Sequence, residues 1–517
     1  MAAPDGSGTL TALPPTLPRP SALLTELLAR RTIVAWLNIG LVIVAGSVIR
    51  FAQLFHSLNE QYAFRQTQTA FAAREFAEHG INLSTSPLPV FGAPWSIPME
   101  FPLFQAIASL LVSIGVDSDV ASRVVSLVFF QLTGILLAVL LLRWTNRLTT
   151  IVAIVCFEFT PFGIECGAAS LIEFLATFLI LAMIIGVDLW FRNGSITGLV
   201  LAGVTAPLAF AVKITTAVPW CVILLGLAIV LLRDHGWGAS WRKILIGYLV
   251  GPGLGLAAGV LWTRYSDAVK MENPFTGFLT SSSLAAWNFG TLSDRVSPSL
   301  HYIAFRVMDL MAGLLALTLV AAVVAIILTK RSRVELLSLV AVPFAAVAIF
   351  MNLYIQHEYY LAAVFPAIAS LVAVGIVAVS RKLGRRWSPR VALAAILAAA
   401  VLALSWVSPL GQNYAALFTQ SAAVPAAAAS PFNAHSRPGT TVPTTNTPTR
   451  AHPIWRSTSI FQPQSKLNRS RRISTGSRSS ATEFLPSTEK AGDPAADGSP
   501  KPLLIVGRAI TDKAAFV

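Results

Sequence analysis

VASRVVSLVFFQLTGILLAVLLL, residues 120–142, is a run of 23 residues with a single charge, Arg123, near its start. A helix needs about 20 predominantly apolar residues to cross a bilayer. The apolar positions do not alternate with period two, so the run reads as a spanning helix and not as a barrel strand. Similar runs recur along the chain. Hydrophobic residues make up 55% of the 517 residues and charged residues 12%, and the mean hydropathy is +0.68. Soluble domains carry about a quarter charged residues. Lipid is therefore the main solvent of this chain.

About eleven candidate spans follow from length and composition: 32–49, 120–142, 148–163, 168–191, 196–212, 215–232, 244–262, 307–329, 336–353, 359–379 and 391–406. Cytoplasmic loops of membrane proteins are enriched in Lys and Arg, which tests this count. Arg30 and Arg31 precede the first span. Arg143 and Arg147, then Arg192, then Arg233, Arg242 and Lys243, occupy every second connection. Lys330, Arg331 and Arg333, and finally Arg381, Lys382, Arg385, Arg386 and Arg390, continue the alternation. The intervening short loops, 161–167 and 354–358, carry no Lys or Arg. The expectation is a multi-pass protein of the plasma membrane with a cytoplasmic N-terminus (1–31), a membrane domain (32–410) and an external, mostly disordered tail (411–517). The first apolar run reads as a retained anchor and not as a cleaved signal.

The net charge is +14. It clusters beside apolar helices and in the polar tail, which points to topology and anionic head groups, not to nucleic acid. The three cysteines, Cys156, Cys166 and Cys221, lie in or beside apolar segments with no metal-site spacing. The tail contains TTVPTTNTPT and SRSS and lacks periodic apolar residues.

Two long outer loops remain, 50–119 and 263–306. The first holds an amphipathic stretch, 63–80, closed by Gly80. It also holds an apolar stretch, 101–115, whose roughly fifteen residues are too few to span comfortably. Both are expected to lie along the membrane. Charge in a bilayer is costly, so its placement is informative. Glu158, Glu165, Glu173, Lys213, Asp309, His357, Glu358, Glu60, Arg65, Glu100 and Arg123 all fall at the outer boundary. Each alone would be an ordinary helix-end charge. A transporter more often places such groups at the midplane of two corresponding halves.

FRQTQTA (64–70), PMEFPL (98–103), WNFGTL (287–292) and HEYY (357–360, with Pro366 following) occur in that order on the expected outer side. Together they resemble the C-type membrane glycosyltransferases, in the family-thirty-nine-like branch related to protein O-mannosyltransferases and aminoarabinose transferases. The resemblance covers about residues 32–409. It implies an all-α polytopic fold, two juxtamembrane helices over the site, and a polyprenyl-phosphate sugar as donor. It also implies an outer-loop carboxylate acting as base or as ligand for a divalent metal. Many relatives have an Asp-Glu pair at the start of the first juxtamembrane helix. Lining up on Ala70, Ala73 and Arg74 puts Arg65 and Gln66 there. Many also have Lys-Pro-Pro-Leu where this chain has Glu100-Phe-Pro-Leu103. An acid has become a base and a base an acid, so an Arg65–Glu100 pair within about 4 Å is expected. Metal use stays open.

Glycosyl transfer needs a base for the acceptor hydroxyl and cations for the leaving phosphate. Glu100, then Glu60 and Glu173, are the candidate bases. Arg65, Lys213, Arg295 and His357 are candidate phosphate ligands. Gln66, Gln68, Asn288 and Tyr359, from within the motifs, are candidate donor-phosphate or substrate contacts. Trp95 and Trp287 could stack on a sugar. The acceptor is left open among glycan, lipid and protein. A lipid or glycan flippase, or a non-catalytic relative, are the other readings. No P-loop, dinucleotide fingerprint or HExxH motif is present.

Overall fold

The structure, a computed structural model, describes residues 22–59, 62–88, 96–296, 303–304, 315–328 and 332–383. Glu60, Trp95, Asp309, the span 391–406 and the tail 411–517 lie outside the described residues, as does most of the segment 1–31. The helices in chain order are α1 (Ala22–Phe51), α2 (Ala63–His79), α3 (Leu103–Ser113), α4 (Ser118–Trp144), α5 (Arg147–Phe159), α6 (Pro161–Ala168), α7 (Glu173–Asn193) and α8 (Ile196–Tyr248). They continue as α9 (Leu254–Glu272), α10 (Ala285–Phe289), α11 (Leu292–Val296), α12 (Leu315–Leu328), α13 (Arg333–Gln356) and α14 (Phe365–Leu383). A two-residue hairpin, β1 (Ser86–Pro87) with β2 (Ser96–Ile97), is antiparallel.

Among the described residues six helices are long and apolar enough to cross a membrane, or seven if the bent pair α5–α6 is one span. The fold is an all-α polytopic membrane bundle. One apolar stretch, Ile196–Glu272, runs 77 residues. At 1.5 Å per residue a single rod of that length would reach about 115 Å, several bilayers deep. The backbone leaves helical geometry inside α8 at Lys213 and again at Gly236. Those breaks fall between the expected spans 196–212, 215–232 and 244–262. Gly236 has φ 73°, which only a residue without Cβ adopts readily.

α7 and the start of α8 pack at very close range. A Cβ on Gly198 would sit 2.7 Å from the Gly186 carbonyl oxygen. Small residues allow such backbone approach, which drives helix association where lipid offers no hydrophobic gain. The core between α4, α5, α7 and α14 is aromatic. Phe130 stacks on Phe157 at 4.2 Å, Phe174 meets Phe130 edge-on at 4.8 Å, and Phe365 stacks on Phe157 at 5.2 Å.

The third expected span is corrected. Its helix ends at Phe159, and residues 161–167, read as a loop, form α6 at 64° to α5. Thr160 accepts the Gly163 N–H and Pro161 takes the first helical position, where its missing N–H costs nothing. Glu158 does not face the outer aqueous boundary. It is fully buried and pairs with buried Arg50 at 2.7 Å. Arg50 Nη2 also donates to the Glu158 and Gly163 carbonyls at 2.7 and 2.9 Å, so one guanidinium closes the gap between the two helices.

The two stretches expected along the membrane are helices. α2 stops at Gly80 as anticipated. α3 has 11 residues, about 16 Å, or half the hydrocarbon thickness.

Candidate active site

The PMEFPL segment is held by three backbone contacts. Ser266 Oγ donates to the Pro98 carbonyl at 2.9 Å and Trp262 Nε1 to the Met99 carbonyl at 3.0 Å, both from α9. The Phe101 N–H donates to the Ala211 carbonyl at 3.1 Å. In an unbroken α8, Ala211 would accept from residue 215. The extended backbone at Lys213 (φ −162°, ψ 90°) interrupts that ladder. A single break thus docks the segment carrying Glu100 and turns Lys213 off the helix.

The side chains converge on one narrow cleft lined by Arg65, Gln68 and Thr69 from α2, Ser86 and Leu88 from the hairpin, and Met99, Glu100 and Gln105 around the start of α3. Leu171, Ile172, Glu173 and Lys213 close the other side. Two ion pairs cross it. Arg65 Nη2 lies 3.4 Å from Glu100 Oε1, half-buried, and Lys213 Nζ lies 2.5 Å from Glu173 Oε1, buried. The expected Arg65–Glu100 pair is therefore present. Lys213 Nζ also sits 5.1 Å over the Tyr360 ring and 5.8 Å over Tyr359, within cation–π range. Three cleft-lining groups keep spare capacity among the described residues: Arg65 Nε lacks an acceptor, and Gln105 Oε1 and Glu173 Oε2 lack a donor.

Burial pushes the Glu100 carboxyl up, but Arg65 and then Lys213 outweigh it and hold it below the usual carboxylate range. Burial pulls the Arg65 guanidinium down, but Glu100, Tyr359 and Tyr360 together outweigh it and hold it well above its usual value. Opposite charges at this range favour both charged forms. The cleft's free volume is ≈ 20 Å³, about enough for one water.

No protein-family model and no curated protein sequence match the chain. A solved structure does: the crystal structure of ArnT from Cupriavidus metallidurans bound to undecaprenyl phosphate, at 16% identity and a TM-score of 0.51. The match covers 71% of this chain and 64% of ArnT. The fold resembles that of ArnT, and at this identity the likeness is one of fold alone. The chain spans less than two thirds of ArnT's length.

On the ArnT-like frame, four of the anticipated residues, Arg65, Gln68, Glu100 and Glu173, share the cleft with a fifth, Lys213. Tyr359 and His357 stack at 5.3 Å behind it, and His357 meets Trp287 at 5.9 Å. Gln66 is a structural link, with Oε1 accepting the Ser170 N–H at 2.9 Å. Arg295 is away from the cleft, with Nη2 donating to the Phe289 carbonyl at 3.0 Å and Nη1 to that of Ala348. Asn288 sits half-buried on α10 and does not line the cleft. Thr69, Ser86 and Gln105 line it without having been anticipated. Gln105 had a signal, as one of only two polar residues in the apolar run 103–112. Among the described residues, one group of three side chains is arranged as metal ligands, Glu75, Glu78 and His79. It lies on the last turn of α2, outside the cleft lining.

Proposed function

We propose that this chain is a membrane glycosyltransferase of the family-thirty-nine-like branch. It transfers a hexose or pentose from a polyprenyl-phosphate donor to a glycan, lipid or protein acceptor at the outer membrane face. The observation that carries this reading is the crossing of two ion pairs in one cleft of an ArnT-like bundle. The ArnT structure holds undecaprenyl phosphate, a ligand of the class the two cations here would receive. The one-sided Lys/Arg loops support an external site and a cytoplasmic N-terminus.

In the proposed reaction Arg65 and Lys213 bind the donor phosphate, and Arg65 is charge-assisted and always protonated. Phosphate entering the cleft replaces Glu100 as the partner of Arg65. The freed carboxylate loses its main acidifying neighbour and becomes a stronger base. It takes the acceptor hydroxyl proton as the oxygen attacks the anomeric carbon. The carbon–oxygen bond to phosphate breaks, and polyprenyl phosphate leaves with the bonding pair, its charge held by Arg65 and Lys213. Glu173 keeps Lys213 in position. A sugar exceeds the free volume of the cleft, which therefore widens on binding, and parting of the Arg65–Glu100 pair is the proposed opening. Gln68, Gln105, Thr69 and Ser86 are placed to bond sugar hydroxyls. A role for Glu60 belongs to the same proposal.

The test is transfer of radiolabelled sugar from a polyprenyl-phosphate donor by reconstituted protein, scored as a new glycosidic product. Movement of the intact lipid across the vesicle with no product would instead identify a flippase.

A further inference from the structure

α7 carries Glu173 at one end and Arg192 at the other. Nineteen helical steps separate them, about 28 Å, close to the hydrocarbon thickness. At the Arg192 end lies a second cavity of ≈ 200 Å³. Its floor is apolar, with Phe191, Leu227, Val230 and Leu231 all buried. Its polar lining comes from Arg192, Asp188, Asp234 and His235.

The acids of this region are largely spent. Asp188, buried, takes Arg143 at 2.8 Å and Arg192 at 2.6 Å, and buried Glu335 takes Arg192 Nη2 at 3.3 Å. This network locks α4, α7 and α13 together and leaves Arg192 partly exposed, at 38%. Asp234 is bound by Arg233 at 2.9 Å. His235 is exposed and makes no hydrogen bond or ion pair among the described residues. Gly236 then turns the chain, and Trp237, 71% exposed, follows with Trp241, Arg242 and Lys243. Trp at the membrane interface and basic side chains beside it are the surroundings of a lipid head group.

We infer that this cavity is a binding site for the head group and glycerol of one anionic phospholipid in the leaflet opposite the glycosyl-transfer cleft. The phosphate lies against Arg192 and His235 of the lining, Arg233, next in the chain to the lining residue Asp234, adds positive charge nearby, and the glycerol lies on Leu227 and Leu231. A cavity of about 150 Å³ already holds a benzene-sized guest, so the volume suffices for glycerophosphate. The site is independent of the proposed transfer reaction.

The test is lipid titration of the full-length detergent-purified protein by native mass spectrometry, comparing dioleoyl phosphatidylglycerol with dioleoyl phosphatidylcholine. One phosphatidylglycerol should bind at least about fivefold more tightly, the worth of a single basic contact at a membrane surface. R233A/H235A, at two exposed positions, should lose that preference. L231W should lose it by filling the cavity, while F344W, at an exposed apolar site elsewhere, should keep it. Equal binding of the two lipids would overturn the inference. So would a preference surviving R233A/H235A, which would assign it to the basic belt at large. Soluble glycerol phosphate competing at the affinity of the lipid would also overturn it, because the apolar floor would then contribute nothing.

Discussion

Glu100 is the residue on which the proposed chemistry turns. Glu100→Gln keeps the shape and removes the base. Turnover should fall by about 10²–10⁴-fold, the usual contribution of a general base, with little change in KM. Near-normal turnover in the folded variant would move the role to Glu173. The pH profile gives a second check. A carboxyl held below its ordinary value contributes stability that is present above the unfolded value, about 4.3 for Glu. That contribution is lost as pH falls through the lower folded value. In the free enzyme the acid limb of kcat/KM should therefore lie below about 4.3. Once donor phosphate occupies Arg65, the limb of kcat should lie higher. Identical limbs in the two profiles would mean that Glu100 does not change partner. The Arg65–Glu100 contact was legible from sequence because two opposite departures from a family pattern compensate. The burial of Glu158 was not. Its partner Arg50 lies 108 positions away, and no local periodicity reports a contact of that range.

At the scale of elements, apolar run length marked the six helices that are long and apolar enough to cross a membrane among the described residues, because the bilayer fixes that length. Where backbone geometry changes without a change in hydropathy, the sequence was silent. The 64° turn between α5 and α6 passes through FTPFG, which stays apolar. The sequence places Lys213 at the end of the span 196–212, and its second role, freeing the Ala211 carbonyl for Phe101, needs the neighbour to be seen. The α7–α8 contact offers a direct measurement. Gly198→Leu places side-chain atoms where Gly186 has its carbonyl. Overpacking of this kind costs about 1–3 kcal/mol, so thermal unfolding in detergent should occur at a lower temperature. Gly40→Leu, in the regular helix of α1, should leave packing alone, since nothing lies within 4 Å of a Cβ there. Equal effects at both sites would deny the close approach.

For the whole molecule, the claim to test is sidedness. Ser84 lies exposed between α2 and the hairpin, and Ser332 lies beside Arg333 at the start of α13. Cysteines placed at these two positions should react with an impermeant thiol reagent differently. Ser84→Cys should label in intact cells, and Ser332→Cys only after permeabilisation. Labelling of both from one side would remove the outer placement of the cleft. Cys156 and Cys166 are buried and Cys221 is half-buried, so a Cys221→Ser background removes the one partly accessible native thiol among the described residues.

The pair between Glu173 and Lys213 also constrains how the chain is made. α7 emerges from the ribosome first, with an acid in its first turn, and its neutralising lysine follows 40 positions later. A lone ionised side chain in an inserting helix is disfavoured by about 2.5–3.5 kcal/mol at the helix centre, and by less toward the ends. α7 should therefore remain at the lateral exit of the translocation channel until Lys213 has been synthesised, and the two segments should partition as a hairpin. An arrest-peptide force profile should show a pulling event for α7 delayed to chain lengths that include Lys213. In Glu173→Gln that event should move earlier.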